Sequence, residues 1–86
     1  AKPASATPLV AARAVEIMLA AGIPANALTL FPCSGRVGGL LASHPDTAGV
    51  AFTGSTDVAW AINRALAARS TAIAPLIAET GGQNAM

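Results

Sequence analysis

The chain has no tyrosine, three aromatic residues in all (Phe31, Phe52 and Trp60), a single cysteine and only 10% charged residues in a length of 86. Five basic residues against four acidic ones give a formal net charge of +1, and the arginines at 13, 36, 64 and 69 are dispersed along the sequence. A nucleic-acid surface needs a basic stripe that displaces counterions, so no nucleic acid contact is expected. No apolar run reaches the roughly 18 residues of a bilayer-crossing helix, because Arg13, Glu16 and Pro24 interrupt the most apolar stretch, and no membrane span is expected. Ala1-Lys2-Pro3 has none of the features of an export signal. One cysteine cannot form an internal disulfide, which fits a reducing compartment, and cytoplasmic is the default location. No cluster has metal-ligand spacing, and His44, alone before a proline, reads as a helix-end or surface residue.

What is there is apolar: 53% of the residues, with a mean hydropathy of +0.58. So short a chain buries too little surface for a large core of its own, and this composition reads as the inside of something bigger. Exposed apolar edges predict self-association of the chain by itself.

Thr7-Pro8 is a helix start, in which a side-chain oxygen can cap the first turn and the missing proline N–H costs nothing. A helix is expected from Pro8 to Ala21, apolar over most of its circumference through Leu9, Val10, Ala14, Ile17, Met18 and Ala21, with Gly22 as its left-handed cap. Ala27–Phe31 reads as a short strand. Residues 37–42 read as a brief helix whose Gly38-Gly39 pair implies a close neighbour. Gly49–Phe52 is a second strand and Ser55 caps a helix running to Ala68. On that helix Val58, Ile62, Ala65 and Leu66 share a face, while Arg64 and Arg69 point away. Trp60 and Met18 read as packing residues. Ile73–Ala78 is a third strand that delivers Glu79 to its end. The alternation predicts an α/β fold, a partial Rossmann-like parallel sheet built from successive βα units, with strands covered on both faces. In such sheets ligands bind beyond the carboxyl ends of the strands, where both Phe52-Thr53-Gly54-Ser55 and Glu79 fall.

The residues alone leave each assignment open. Glu79 suits a general base, and equally a strand-end carboxylate that caps a neighbouring backbone group. Thr53-Gly54-Ser55 suits a phosphate site at a helix start, and equally a plain turn with a helix cap. Lys2 could be an ordinary solvated lysine.

Lys2-Pro3-Ala4 followed by Thr7-Pro8, then Phe52-Thr53-Gly54-Ser55-Thr56, then Glu79-Thr80-Gly81-Gly82 resembles, in order and spacing, the cofactor-binding core of the NAD(P)-dependent aldehyde dehydrogenases. The resemblance covers the whole chain, making residues 1–86 a fragment of the NAD(P)-binding domain with no second domain. Thr80 and Gln83 replace the leucine and lysine of most relatives. They resemble the L-glutamate 5-semialdehyde (1-pyrroline-5-carboxylate) dehydrogenase part of bacterial bifunctional proline-utilisation flavoenzymes.

The resemblance implies NAD as cofactor. It gives Lys2 the adenine ribose hydroxyls, with Ser5 in place of the family's acidic ribose partner. Pro32 and Gly35 fall in the turn on the adenine side, and Gly54 and Ser55 would meet the pyrophosphate. The resemblance also counts Phe52, Thr53, Thr80 and Gly81 among the cofactor-binding residues. Glu79 takes the role of the base that activates water to hydrolyse a thioester, and an apolar environment, which raises a carboxylate's pKa, would suit that task. The nucleophilic cysteine belongs beyond Met86, so Cys33 is an ordinary small apolar residue of the adenine-side loop. The implied partners are the remainder of the parent enzyme, an aldehyde substrate and further copies of the parent in a homo-oligomer, and the 86 residues alone are expected to be inactive. The alternative reading is a non-catalytic dinucleotide-binding or structural α/β fragment.

Overall fold

A computed structural model of the chain describes residues 1–81. The chain divides into two units, Ala1–Gly38 and the part from Gly39 onward.

In the first unit, helix α1 spans Pro8–Ala20 with Pro8 in its first turn, as expected. Thr7 contributes its carbonyl, which accepts from Ala11 N–H at 3.2 Å, but its side chain makes no capping hydrogen bond. The far end closes through two reversed bonds, Gly22 N–H to Leu19 O at 3.1 Å and Ile23 N–H to Met18 O at 3.2 Å. Gly22 stands at φ 113°, where a side chain would be strained. The apolar stripe is not covered as expected. The better-protected face is Ala11, Ala12, Ala14 and Val15, while Leu9 is 84% and Val10 72% exposed. Small side chains let other backbone approach, whereas the bulkier stripe finds no partner among the described residues. Met18, expected to pack, is likewise exposed.

Ala27–Phe31 is not a strand: Ala27 closes a turn, its N–H donating to Pro24 O at 2.9 Å, and residues 28–31 have no regular structure. Its one lateral contact is to Ala1, whose amino group donates to Thr29 O at 2.7 Å and whose carbonyl accepts from Phe31 N–H at 2.8 Å. That is a single parallel rung, and a strand needs a continuous ladder. Helix α2 spans Gly35–Ser43, wider than expected, because Ser34 starts it: its Oγ accepts from Val37 N–H at 3.4 Å and its carbonyl from Gly38 N–H at 2.9 Å.

The second unit is a βαβ arrangement of β1 (Val50–Gly54), α3 (Thr56–Ala67) and β2 (Leu76–Thr80). The strands pair in parallel, Val50 with Leu76 through Gly54 with Thr80, and α3 packs against both. β2 begins three residues later than the apolar run because Pro75 has no N–H to donate. Its carbonyl accepts from Val50 N–H at 2.9 Å, and the ladder starts beyond it. Only one sheet face is partly protected, that of Val50, Phe52, Leu76 and Thr80; Ala51, Thr53, Ile77 and Glu79 lie on the other and are exposed. The expectation of strands covered on both faces is therefore not met among the described residues.

α3 follows its local rules closely. Ser55 Oγ accepts from Val58 N–H at 3.3 Å and Asp57 sits in the first turn, opposite in sign to the positive dipole end. Leu66 is buried with Ile62 and Ala65 half-buried beside it, but Val58 and Trp60 are exposed. Leu66 and, on α2, Ala42 are the buried hydrophobic residues among those described. Arg64 points away as expected. Arg69 does not: it is half-buried and folded back against the chain. His44, after α2, is exposed, and its Nδ1 accepts from Asp46 N–H at 3.1 Å. No helix among the described residues is long and apolar enough to cross a membrane.

Candidate functional site

The corner between β1 and α3 is built from strand alternation and a helix cap. Phe52 turns to the better-protected face, Thr53 to the open one, and Gly54 lies on the same face as Phe52. A Cβ on Gly54 would stand 2.5 Å from Cζ of the Phe52 ring, so the space of the absent side chain is taken by the strand's own aromatic. Ser55 has extended geometry (φ −71°, ψ 150°) and spends its hydroxyl oxygen on the cap. The first N–H groups of α3, at Thr56 and Asp57, lie outside the helix's own ladder and can meet an anion, although the Asp57 carboxylate beside them opposes one.

β2 brings a carboxylate to this corner. Glu79 is the register partner of Thr53, and Thr80 of Gly54, so the two chain segments singled out in the sequence end side by side. Gly81 follows at φ 66°, where a side chain would be strained. Gly82 and Gln83, part of the resemblance, lie outside the described residues. Glu79 is exposed on the sheet's open face with Thr53, Ala51 and Ile77. An enclosing apolar environment is absent among the described residues, because nothing there covers this face. Glu79 makes no hydrogen bond or ion pair among the described residues.

Lys2, Pro32 and Gly35 belong to the first unit. An open cavity of about 280 Å³ is lined there by Pro3, Ala4, Ser5, Pro8, Pro32, Cys33 and Ser34. Three prolines give it a stiff, mainly apolar wall, and Ser5 and Ser34 supply hydroxyls. Cys33 is half-buried in this wall, as a small apolar residue would be. Lys2 precedes the cavity; its Nζ donates to Pro3 O at 3.0 Å, and its stem lies over Gly38, where a Cβ would approach Lys2 Cδ to 2.7 Å. The close neighbour implied by Gly38 is thus this lysine. Gly35 opens α2 directly after the cavity wall.

The first unit thus holds a stiff, mainly apolar cavity with a lysine beside it, and the second a capped helix start with free N–H groups. Sequence reasoning missed Pro3, Ala4 and Pro8 as cavity wall, since a cavity needs the 3–8 and 32–34 segments brought together. Arg69, read from the sequence as pointing away, is folded back onto the segments at 44–47 and 71–72. No group of three or more potential metal ligands occurs among the described residues.

The aldehyde dehydrogenase family matches the chain over residues 1–86. The Bifunctional protein PutA of Rhizobium meliloti is 58% identical over 89 residues, covering 100% of this chain and 7% of the relative. The 1-pyrroline-5-carboxylate dehydrogenase of Geobacillus kaustophilus is 46% identical over 93 residues, covering 99% of this chain and 17% of that protein. A crystal structure of a Bradyrhizobium japonicum Proline Utilization A (PutA) mutant superposes with a TM-score of 0.91 at 59% identity, over 94% of this chain and 8% of that one. The chain therefore spans well under a fifth of the length of these relatives.

Proposed function

The chain belongs to the aldehyde dehydrogenase family, and from that premise we propose that it is a segment of the NAD-binding domain of an enzyme oxidising L-glutamate 5-semialdehyde to L-glutamate in proline catabolism. The observation that carries this reading is the pairing of Glu79 with Thr53 at the carboxyl ends of two parallel strands, next to the capped start of α3. Ligands of parallel sheets collect at this edge.

NAD⁺ would supply the hydride acceptor here: a cysteine thiolate of the remainder of the parent adds to the aldehyde carbon, and loss of hydride from that adduct leaves an acyl thioester. Lys2 offers donors to hydroxyls, the cavity around Pro32 receives an apolar planar group, and the start of α3 presents N–H groups to phosphate. Glu79 takes a proton from the water that attacks the acyl thioester, which releases glutamate and the thiol of a cysteine supplied by the remainder of the parent enzyme. Exposed on an open sheet face, Glu79 is accessible to water, and the rest of the parent would decide how many waters reach it.

In the full-length parent, Glu79→Gln keeps the shape and removes the base. Steady-state turnover should fall by about 10²- to 10⁴-fold while a rapid burst of NADH survives, because hydride transfer precedes the step that needs Glu79. A glutamine variant with undiminished turnover would overturn the assignment. The isolated 86-residue chain should form no NADH from an aldehyde; any that it formed would favour a self-sufficient site.

A further inference from the structure

Resting on the reading of Glu79 as a base, we propose that Arg69 is its positioning residue: the guanidinium ties the loop before β1 to the loop before β2 and so holds the strand register that sets Glu79 opposite Thr53. Nη1 donates to His44 O and to Thr47 O, both at 2.9 Å, in the segment that leads into β1. Nη2 donates to Ala72 O at 3.2 Å and Nε to Thr71 Oγ1 at 3.1 Å, in the segment that leads into β2.

One planar side chain thus makes four bonds to two loops distant in sequence. Its place just past the last turn of α3 is also where a helix end favours a cation. The first rung of the ladder, Val50 N–H to Pro75 O, follows directly from this clamp. Pro75 cannot donate and the strands are five residues each, so at this end the clamp acts beside one close contact, the seat of Gly49 against Pro75, where a Cβ would stand 3.3 Å from Pro75 Cγ. A slip of one residue would turn Glu79 to the opposite face of the sheet. Lysine could not replace the clamp, because a point ammonium lacks the rigid fork that reaches both loops.

The test uses Arg69→Met and Arg69→Lys in the full-length parent, beside Glu79→Gln. For Arg69→Met, kcat should fall roughly 10- to 100-fold with both KM values within about twofold and the NADH burst retained, because a misplaced base slows hydrolysis and spares hydride transfer. Amide exchange in peptides spanning 50–54 and 76–80 should accelerate. Arg69→Lys should recover only part of the turnover, and it keeps the test alive if the methionine variant does not fold. Two outcomes overturn the proposal: unchanged kcat despite faster exchange, or a joint loss of burst, kcat and cofactor affinity, which would mark a general packing role. If Glu79→Gln leaves turnover intact, the reading of the base fails by itself, and the exchange measurement still reports whether Arg69 holds the ladder.

Discussion

Residues 39–81 contain the parallel ladder, the Arg69 cross-link and both buried hydrophobic residues, whereas residues 1–38 contain a 13-residue helix with no buried side chain and one isolated rung. The two regions have nearly the same length and both are rich in alanine. Their difference lies in what fixes geometry. In the second region position depends on register, and a register is set by hydrogen bonds and by which face is packed. In the first, the cavity wall depends on Pro3, Pro8 and Pro32, whose fixed φ makes a stiff surface without a core beneath it. A reacting carboxylate needs the first kind of control, and an apolar planar group can be received by the second.

The same substitution placed in both regions tests this division most strongly. Leu66→Ala should cost about 2–3 kcal/mol, the lower part of the range for a buried leucine, because Leu66 is 8% exposed in a small core. Leu9→Ala, at 84% exposure, should stay within about 0.5 kcal/mol. Denaturant titrations of the two variants give the comparison. Equal losses would mean that the stripe of α1 is packed after all.

The two helix starts form the next pair. Ser55→Ala removes a side-chain cap seen in the structure and should cost about 1 kcal/mol, while Thr7→Ala removes a hydroxyl that caps nothing and should cost much less. Helicity and melting temperature measured in parallel would show the asymmetry. A Thr7 effect as large as that of Ser55 would remove this contrast between the regions.

These pairs also mark what was legible in the sequence. Ser55, Gly22 and Pro8 act through neighbours within a few residues, so helix starts and stops could be read directly. The strand at 27–31 could not be, because a segment becomes a strand only when a partner supplies a ladder, and the described residues supply one rung. β2 was displaced by Pro75, a residue whose effect on the ladder depends on where Val50 lies. Of the site, Thr53 and Glu79 were both placed at strand ends from the sequence; that they are register partners is seen only in the pairing of the strands. The expected apolar enclosure of Glu79 is absent among the described residues, none of which covers this face of the sheet. Arg69 was read as pointing away because helical periodicity was carried two residues past the helix: α3 ends at Ala67, and beyond it the rule for sharing a face no longer applies.

The smallest effect is expected where the two regions meet, at neighbouring glycines inside α2, one on each side of the division. A Cβ on Gly39 meets nothing within 4 Å, so Gly39→Ala should stabilise by about 0.5–1 kcal/mol through helix propensity alone. Gly38→Ala gains the same propensity, but its Cβ would come to 2.7 Å from Lys2 Cδ and 2.9 Å from Lys2 Cε. A lysine stem is flexible and yields at little energetic cost, so the thermal stabilities of the two variants should be similar. What separates them is the ammonium that the stem carries. If Lys2 holds cofactor hydroxyls, Gly38→Ala in the full-length parent should raise KM for NAD⁺ without changing kcat, and Gly39→Ala should change neither. Identical kinetics for the two variants, together with equal stabilities, would show that the stem's rest position over Gly38 has no part in cofactor binding.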